Sequence, residues 1–455
     1  MFKGWLNRVL AQSRGDGLRA RLIRGGLGSA GVQALNRIVG VAMGVVLARG
    51  LGAEGYGTYA YAFAIMSLLM VAGEAGVPTL LMREVASAHG QQRWGLLRGA
   101  LIRSGQLVLL ASVSIAIIGL LLLWAMADHL SAAQFYTTLL MLLVLPLAAL
   151  GKAIASAMQG LHRVVVGQAV GTLLRPLLVL VGVGSLFLLV PAMRQPQYAM
   201  AVQFAAAGAV LLVGGWMLSR YLPAVSRTEP VEYQSRQWLK SALPFTLIGG
   251  ALIINNQADI IMLGWFGSAA DVGVYRVAVQ GATLVVAVSL HVVSAVAAPH
   301  FARLHAQDDM EKLQRLVTAS ARVALLTSLP VALTFILAGG TIAGWAFGGE
   351  FVASHLPLAI LAFAYLASAA FGPIGALLTM TGSERHVART LWQTALLNVV
   401  LNGLLIPFYG MVGAAVASAI SLLIWNAMLF VRVGKSLGIN SCVFGWKRDK
   451  GVRRH

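Results

Sequence analysis

The chain has 455 residues, of which 58% are hydrophobic and 11% charged, and its mean hydropathy is +0.80. Soluble globular domains carry about 25% charged residues, so this composition excludes an ordinary soluble enzyme, a disordered chain and a disulfide scaffold. The net charge of +19 would suggest nucleic acid in a soluble protein, but in a membrane protein it follows from basic loops on one side of the bilayer.

Read in order, the chain opens with a basic segment, 1–25. Within it, Met1 to Ala20 reads either as an interfacial helix with Phe2, Trp5, Leu6, Val9 and Leu10 on its apolar side, or as a charged tail. The first apolar stretch begins near Leu27 and is longer than the h-region of a signal peptide, so no cleavable signal is expected. From there apolar stretches of about 20 residues, enough to cross a bilayer, recur to the end. They predict twelve spans, at 26–48, 58–82, 104–127, 133–155, 165–190, 198–219, 241–265, 272–298, 317–338, 354–379, 388–408 and 411–431. The expected fold is an all-α polytopic membrane protein. A linker at 220–240 separates an N-terminal six-helix bundle (26–219) from a C-terminal one (241–431), and a basic tail, 432–455, follows.

Twelve spans place both termini on one side. Arg49, Arg194 and Arg276 fall on the other, and Arg37 and Arg175 lie within spans, which leaves 29 of the 34 Lys and Arg residues on the side of the termini. That distribution assigns the termini to the cytoplasm and leaves no basic surplus for nucleic acid to explain. The outer loops are short; the longest, 339–353, is Gly-rich with Glu350 as its single charge.

The halves echo each other. Met158-Gln-Gly160-Leu-His-Arg163 follows span 4, and Met380-Thr-Gly382-Ser-Glu-Arg385 follows span 10. Gly57-Thr-Tyr59 opens span 2, and Gly273-Val-Tyr275 opens span 8. Pro78 with Arg83 is matched by Pro299 with Arg303. The intervals from Gly160 to Gly382 and from Gly57 to Gly273 are nearly equal, and both are close to half the chain. Six spans per repeat give the two bundles one orientation, so they are expected to be pseudo-symmetric about the membrane normal and to enclose a central cavity.

Ionisable residues inside spans are costly and face a partner or a cavity. On span 1, Gln33, Asn36, Arg37, Gly40 and Gly44 share one face. Arg37 and Glu74 of span 2 lie at comparable depth, about 16 and 12 Å from the cytoplasmic ends of their helices. They form a structural ion pair, or Arg37 exchanges Glu74 for a phosphate, whose oxygens suit the planar guanidinium fork. Span 5 aligns Gln168, Thr172 and Arg175, with Pro176 next; Arg175 either lines the cavity or caps a kink. Span 7 carries Asn255, Asn256, Gln257 and Asp259, and span 8 carries Arg276, Gln280, Thr283 and His291 along one stripe. Asp259 and Arg276 are expected to pair. The amides read as interhelical glue or as cavity lining, and His291 as a packing residue or a proton relay. On span 11, Thr394, Asn398 and Asn402 share a packing face. Asp308-Asp309-x-Glu311 reads as a solvated helix start.

One cysteine, Cys442, excludes an intrachain disulfide and a cysteine metal cluster. CxxC, HExxH and Walker-loop patterns are absent, so neither an enzyme nor a cofactor is expected.

Several segments resemble the Wzx-type oligosaccharide flippases of the multidrug/oligosaccharidyl-lipid/polysaccharide exporter superfamily. They are Leu51-Gly-Ala-Glu-Gly-Tyr-Gly-Thr-Tyr59, Gly76-Val-Pro78 with Arg83-Glu-Val-Ala86, Asp259-Ile-Ile-Met-Leu-Gly264, Val272-Gly-Val-Tyr275, Pro299-His-Phe-Ala-Arg-Leu304 and Thr379-Met-Thr-Gly382. The resemblance covers roughly 20–435. It implies an inner-membrane carrier that moves an undecaprenyl-diphosphate-linked oligosaccharide from the cytoplasmic to the periplasmic leaflet by alternating access, for a surface polysaccharide such as O-antigen or exopolysaccharide. It also implies that spans 1, 2, 7 and 8 line the cavity, and that other membrane proteins of polysaccharide assembly are partners. In that frame Asn36, Arg37, Arg175, Asn255, Asn256, Arg276 and Gln280 are candidate substrate contacts, and Glu74, Asp259 and His291 candidate coupling groups. A drug or toxin extruder of the same superfamily would want carboxylates to dominate, and a membrane glycosyltransferase or polymerase would want an extramembrane catalytic loop. Reporter fusions after Arg227 and Lys312 should give cytoplasmic signals, and fusions after Asp128 and Glu350 periplasmic ones; a periplasmic signal after Arg227 overturns the twelve-span topology.

Overall fold

A computed structural model describes residues 18–445. Among these residues there is no β-strand, and ten helices are long and apolar enough to cross a membrane. Two of the ten are too long to be single spans. Gly28–Glu74 has 47 residues, about 70 Å of helix against a hydrocarbon core of about 30 Å. It breaks at Gly52, whose φ of 69° and ψ of −179° only glycine adopts readily. The 54-residue helix Glu384–Leu437 breaks at Gly410 in the same manner (φ 52°, ψ −132°). Counting each as two gives the twelve expected spans. The protein is a multi-pass helical membrane protein. Span 1 begins at Leu18, well ahead of the expected 26; residues 1–17 of the proposed interfacial helix lie outside the described residues.

Span 2 also breaks internally, at Ala75 (φ 46°) and Gly76 (φ 68°), and resumes as Val77–Gly90. Spans 3 and 4 are Trp94–Ala125 and Ala132–Gly160. Span 5, Val164–Leu189, contains a widened π turn at Ala169–Leu174 just before Pro176. Pro176 lacks an N–H, and its ring would strike the carbonyl four residues back; the wide turn absorbs that mismatch. Spans 6 to 9 are Pro196–Tyr221, Ser235–Phe266, Ala269–Ala306 and Met310–Phe347. Span 10, His355–Phe371, continues past Gly372 as Ile374–Met380. Asp309 starts span 9 by accepting the Lys312 N–H at 3.1 Å. Its hydrogen bonds to Lys312 hold this exposed carboxyl below the usual carboxylate range.

Four turns show the repeat. Each closes a helix with one left-handed residue and a backbone bond that reaches back one position further than an α-helical bond. Gln92 is the left-handed residue where Arg93 N–H reaches Ala88 O, and Asp308 where Asp309 N–H reaches Leu304 O. His162 plays that part where Arg163 N–H reaches Met158 O, and Gly382 where Ser383 N–H reaches Leu378 O. Gln92 and Asp308 are separated by the same interval as Gly57 and Gly273, and His162 and Gly382 by one only slightly longer. Gly382 therefore corresponds to His162 and not, as expected, to Gly160. Two M-x-G-x-x-R strings look alike, but turn geometry sets the register. A Cβ on Gly160 would meet Met82 O at 2.7 Å, whereas one on Gly382 would meet nothing within 4 Å. The Pro78 and Pro299 match also lapses: Pro78 begins a helix after a break, while Pro299 lies inside a continuous one.

Packing divides the chain into two compact units, Met1–Gly50 with Ile65–Gly249, and Leu51–Ala64 with Gly250–His455. This division differs from the six-plus-six reading, because the first part of span 2 belongs to the second unit and the start of span 7 to the first. In the second unit Gly57 and Gly273 meet about a local two-fold. A Cβ on Gly57 would lie 1.6 Å from Ala269 O, and one on Gly273 2.1 Å from Ala53 O. Ala53 and Ala269 stand at the same interval in the chain as Gly57 and Gly273. Within each unit, the chain leaving a sixth span returns along the base of a third. In the first unit Glu232 N–H bonds Gly95 O (3.1 Å), and Arg98 reaches Glu229 O (3.3 Å). In the second, Gln314 bonds Asn440 through both its amide groups (2.6 and 2.8 Å). Arg98 and Gln314 are again one repeat interval apart.

The Gly57 contact leaves no room for a methyl group. Gly57→Ala should lower the thermal midpoint of the purified protein by an overpacking cost of about 1–3 kcal/mol or more. Gly208→Ala, in a helix where a Cβ meets nothing within 4 Å, should match or slightly exceed wild type. Equal midpoints for the two variants would refute the close helix contact.

Candidate functional site

Among the described residues each unit holds one membrane-depth carboxylate, and the two are satisfied in different ways. In the first unit Glu74 is the last helical residue before the left-handed pair Ala75–Gly76. That break is enforced by packing: a Cβ on Gly76 would lie 2.3 Å from Ala242 O and 2.8 Å from Thr246 N. Glu74 is 9% exposed. Its Oε2 accepts a hydrogen bond from Lys152 Nζ at 2.7 Å, while the buried Oε1 has no hydrogen-bond partner among the described residues. The Lys152 side chain is 55% exposed, so a buried anion tethers a cation that faces outward. Arg175 lies within electrostatic range of Glu74.

This corrects the expected pairing of Glu74 with Arg37. Arg37 is half-buried on span 1 and forms no ion pair with Glu74. Hydropathy places Lys152 at the cytoplasmic end of span 4, but that helix runs on to Gly160. Lys152 therefore sits about 12 Å inside its end, level with Glu74. Arg175 stands at the kink, and its charge also bears on Glu74. It follows directly on the π turn beside Pro176. Gln168 opens that turn and accepts a hydrogen bond from Ser29 of span 1, and Thr172 bonds back to Gln168 O at 2.7 Å. Asn36 is half-buried beside Arg37, and Gln33 is exposed.

In the second unit Asp259 is 6% exposed. Tyr275 OH donates to its Oδ2 at 2.7 Å, Ser418 Oγ donates to the same oxygen at 3.3 Å, and its own Oδ1 takes the Ile260 N–H at 2.8 Å. The expected Asp259–Arg276 ion pair does not form. Arg276 lies within electrostatic range of Asp259 and of buried Tyr56, but neighbouring side chains on a helix point about 100° apart. With Tyr275 aimed at the carboxylate, Arg276 is turned aside. Tyr56 OH also donates to Gln280 Oε1 at 3.4 Å. Asn255 bonds Ala251 O and, on span 11, Leu391 O (2.9 and 3.2 Å), which is interhelical bonding. Asn256 is exposed and bonds Leu252 O on its own helix. Asn402 and Asn398 bond each other at 3.0 Å, and Asn398 reaches Ser418 at 3.4 Å. The side chain of His291 lies outside the described residues.

Sequence reasoning misses Lys152, Tyr275, Ser418 and Tyr56 as members of these clusters. Tyr275 has a signal, since it stands in the Gly-Val-Tyr segment, on the helix that follows Asp259 across a tight connection. Ser418 has none, because serine in an apolar helix is unremarkable.

A family model described as "Polysaccharide biosynthesis protein" matches residues 22–305. The chain belongs to this family. A curated relative, "Probable low-salt glycan biosynthesis flippase Agl15" of Haloferax volcanii, is 27% identical over 163 residues, which cover 36% of this chain and 34% of the relative. That match thus spans about a third of the relative's length. Among solved structures, an inward-facing multidrug resistance MATE family transporter of the MOP superfamily aligns with a TM-score of 0.70 at 13% identity, over 91% of this chain and 99% of that one. The lipid II flippase MurJ in an inward closed conformation aligns equally well, with a TM-score of 0.70 at 14% identity over 89% and 87%. A MOP superfamily transporter from Pyrococcus furiosus Vc1, described as having a binding pocket of reverse polarity, aligns with a TM-score of 0.62 at 14% identity over 94% and 97%. At these identities the structural matches establish a shared fold: the family member described here has the helical fold of these transporters.

The Asp259 cluster gives a graded test of burial. Tyr275→Phe removes the 2.7 Å donor from a buried carboxylate and should destabilise the protein by about 1–3 kcal/mol. Ser418→Ala removes the longer, weaker donor and should cost less. Thermal unfolding that ranks the two variants the other way would show that Tyr275 is not the principal partner of Asp259.

Proposed function

We propose that the protein is a flippase that moves a lipid-linked oligosaccharide, carried on undecaprenyl diphosphate, from the cytoplasmic to the periplasmic leaflet of a bacterial inner membrane, with both termini in the cytoplasm. Family membership supports polysaccharide biosynthesis as the setting, and the names of the flippase relatives support lipid-linked glycan as the cargo. The observation that carries the reading is charge. In the first unit the carboxylate of Glu74 is acted on by two cations, Lys152 and Arg175, and span 1 of the same unit carries a third, Arg37. Such a surplus suits a diphosphate, which guanidinium groups bind with paired hydrogen bonds. It does not suit the cationic cargo of a drug extruder, for which carboxylates should predominate.

In this reading Arg37, Asn36 and Arg175 contact the headgroup from the first unit, and Arg276, Gln280, Asn255 and Asn256 are contacts from the second. Glu74, Asp259 and His291 are the candidates for coupling to protons or membrane potential. The six-span repeats at 26–219 and 241–431 alternate access by rocking, and assembly proteins of the same pathway are the expected partners.

Leaflet-resolved labelling of lipid-linked glycan tests the proposal. Cells lacking the protein should accumulate the glycan on the cytoplasmic face, and Arg37→Ala should behave like the deletion while remaining folded and inserted. Arg37→Lys should restore export only in part, since an ammonium keeps the charge without the bidentate fork. Normal glycan distribution in the deletion strain would overturn the function, and full export by Arg37→Ala would remove Arg37 from the headgroup site.

A further inference from the structure

We infer that Lys152 and Glu74 form an anion-exchange pair: a diphosphate takes the Lys152 ammonium away from Glu74, and the released carboxylate takes up a proton. This inference rests on the flippase reading and assigns to its site a residue and a coupling step. The geometry of the pair favours exchange over permanent structure. Lys152 Nζ is held by one oxygen, Glu74 Oε2, at 2.7 Å. Its side chain is 55% exposed while that of Glu74 is 11% exposed. The ammonium has three donors and an open side, so an incoming oxyanion reaches it without first displacing the carboxylate.

The charged groups bearing on Glu74 are Lys152 of span 4 and Arg175 of span 5. Both are cations, so an oxyanion that reaches Lys152 enters a positive field, while Glu74 loses its hydrogen-bonded partner. A buried carboxylate stripped of its counter-ion is far costlier than a neutral acid. Glu74 accordingly binds a proton from the aqueous phase, and its unpartnered Oε1 is an available position for it. The charges balance: the ammonium passes from carboxylate to phosphate oxygen, and one proton neutralises the carboxylate. Release of the diphosphate reverses both steps. Position adds a consequence, because Glu74 is the last residue before the left-handed pair Ala75–Gly76. Loss of its ion pair is felt where span 2 is already broken.

The full-length protein in zwitterionic phosphatidylcholine nanodiscs provides the test, with farnesyl diphosphate as a lipid diphosphate and inorganic pyrophosphate as a free one. Calorimetry in two buffers of different ionisation enthalpy reads affinity and proton uptake together. Wild type should bind farnesyl diphosphate with net proton uptake. Lys152→Gln should weaken binding at least about tenfold, the loss of one charge-assisted contact, and Lys152→Arg should retain it. Glu74→Gln should bind as tightly or more tightly than wild type, having lost the competing carboxylate, and without the extra proton. The double variant Glu74→Gln, Lys152→Gln removes both members of the ion pair and controls for folding; it should bind as weakly as Lys152→Gln. Pyrophosphate binding with the same dependence on Lys152 would support the anion site and show that the prenyl chain is not needed for it. Wild-type binding indifferent to Lys152, or proton uptake unchanged in Glu74→Gln, would overturn the exchange pair and leave the flippase reading standing. Absence of any diphosphate binding by wild type would count against both.

Discussion

A carboxylate inside a helix that crosses a bilayer has to be satisfied by the protein, because the hydrocarbon beside it offers no hydrogen bonds and no counter-ions. Glu74 and Asp259 meet that demand in opposite ways. Asp259 is enclosed by neutral donors, Tyr275, Ser418 and its own helix's Ile260 N–H, with a cation nearby but turned aside. Glu74 is met by a single ammonium that is itself half outside. Hydroxyl donors at short distance fix a group in place, whereas a one-point ion pair with an exposed partner can be competed for. The two halves repeat each other in the geometry of their turns yet differ in how they hold charge.

The backbone breaks belong to the same problem. Each interruption lies where a helix would otherwise run on through its neighbours or past the membrane. Gly52 and Gly410 divide helices far longer than a bilayer is thick, and Ala75–Gly76 lets span 2 pass beside Ala242 and Thr246 with no side chain between. A non-glycine residue in the left-handed region costs roughly 1–2 kcal/mol, so Ala75 is held there by what surrounds it. The π turn ahead of Pro176 is a milder form of the same device, and it carries Arg175 at its end. In the first unit both breaks adjoin charged residues: Glu74 ends one helix, and Arg175 begins the other.

Much of this is legible in the sequence. The twelve spans follow from length and hydropathy, and the family resemblance from short strings such as Leu51–Tyr59. Gly57 and Gly273 match at the right offset, although nothing in the sequence shows that they touch. Gly160 and Gly382 match only in letters, because in the turn His162 and not Gly160 takes the left-handed conformation. His89-x-Gln91 and His305-x-Gln307, at the same offset as Gly57 and Gly273 and in the turns themselves, are the better signal. Lys152 escapes sequence reading for a related reason. Hydropathy ends span 4 near 155, but the helix ends where the turn at 158–163 closes it, so a lysine that looks peripheral is two turns inside. Depth alone pairs Arg37 with Glu74 and Asp259 with Arg276. Depth fixes one coordinate of a side chain, whereas a contact also needs the helix rotation that only packing sets.

Rotation also explains why neither expected arginine partner is needed. Tyr275 and Arg276 are adjacent, so only one of them can face Asp259. The tyrosine does so at 2.7 Å, leaving the guanidinium beside Tyr56 and Gln280. A buried carboxylate bonded by a phenol and a serine has its lone pairs engaged without importing a second charge, which avoids the desolvation cost of burying an arginine. Arg276 instead interacts with the Tyr56 hydroxyl, and in the other unit Lys152 takes the place beside Glu74 that depth alone would give to Arg37. In both units the carboxylate is satisfied by a residue other than the arginine at its level.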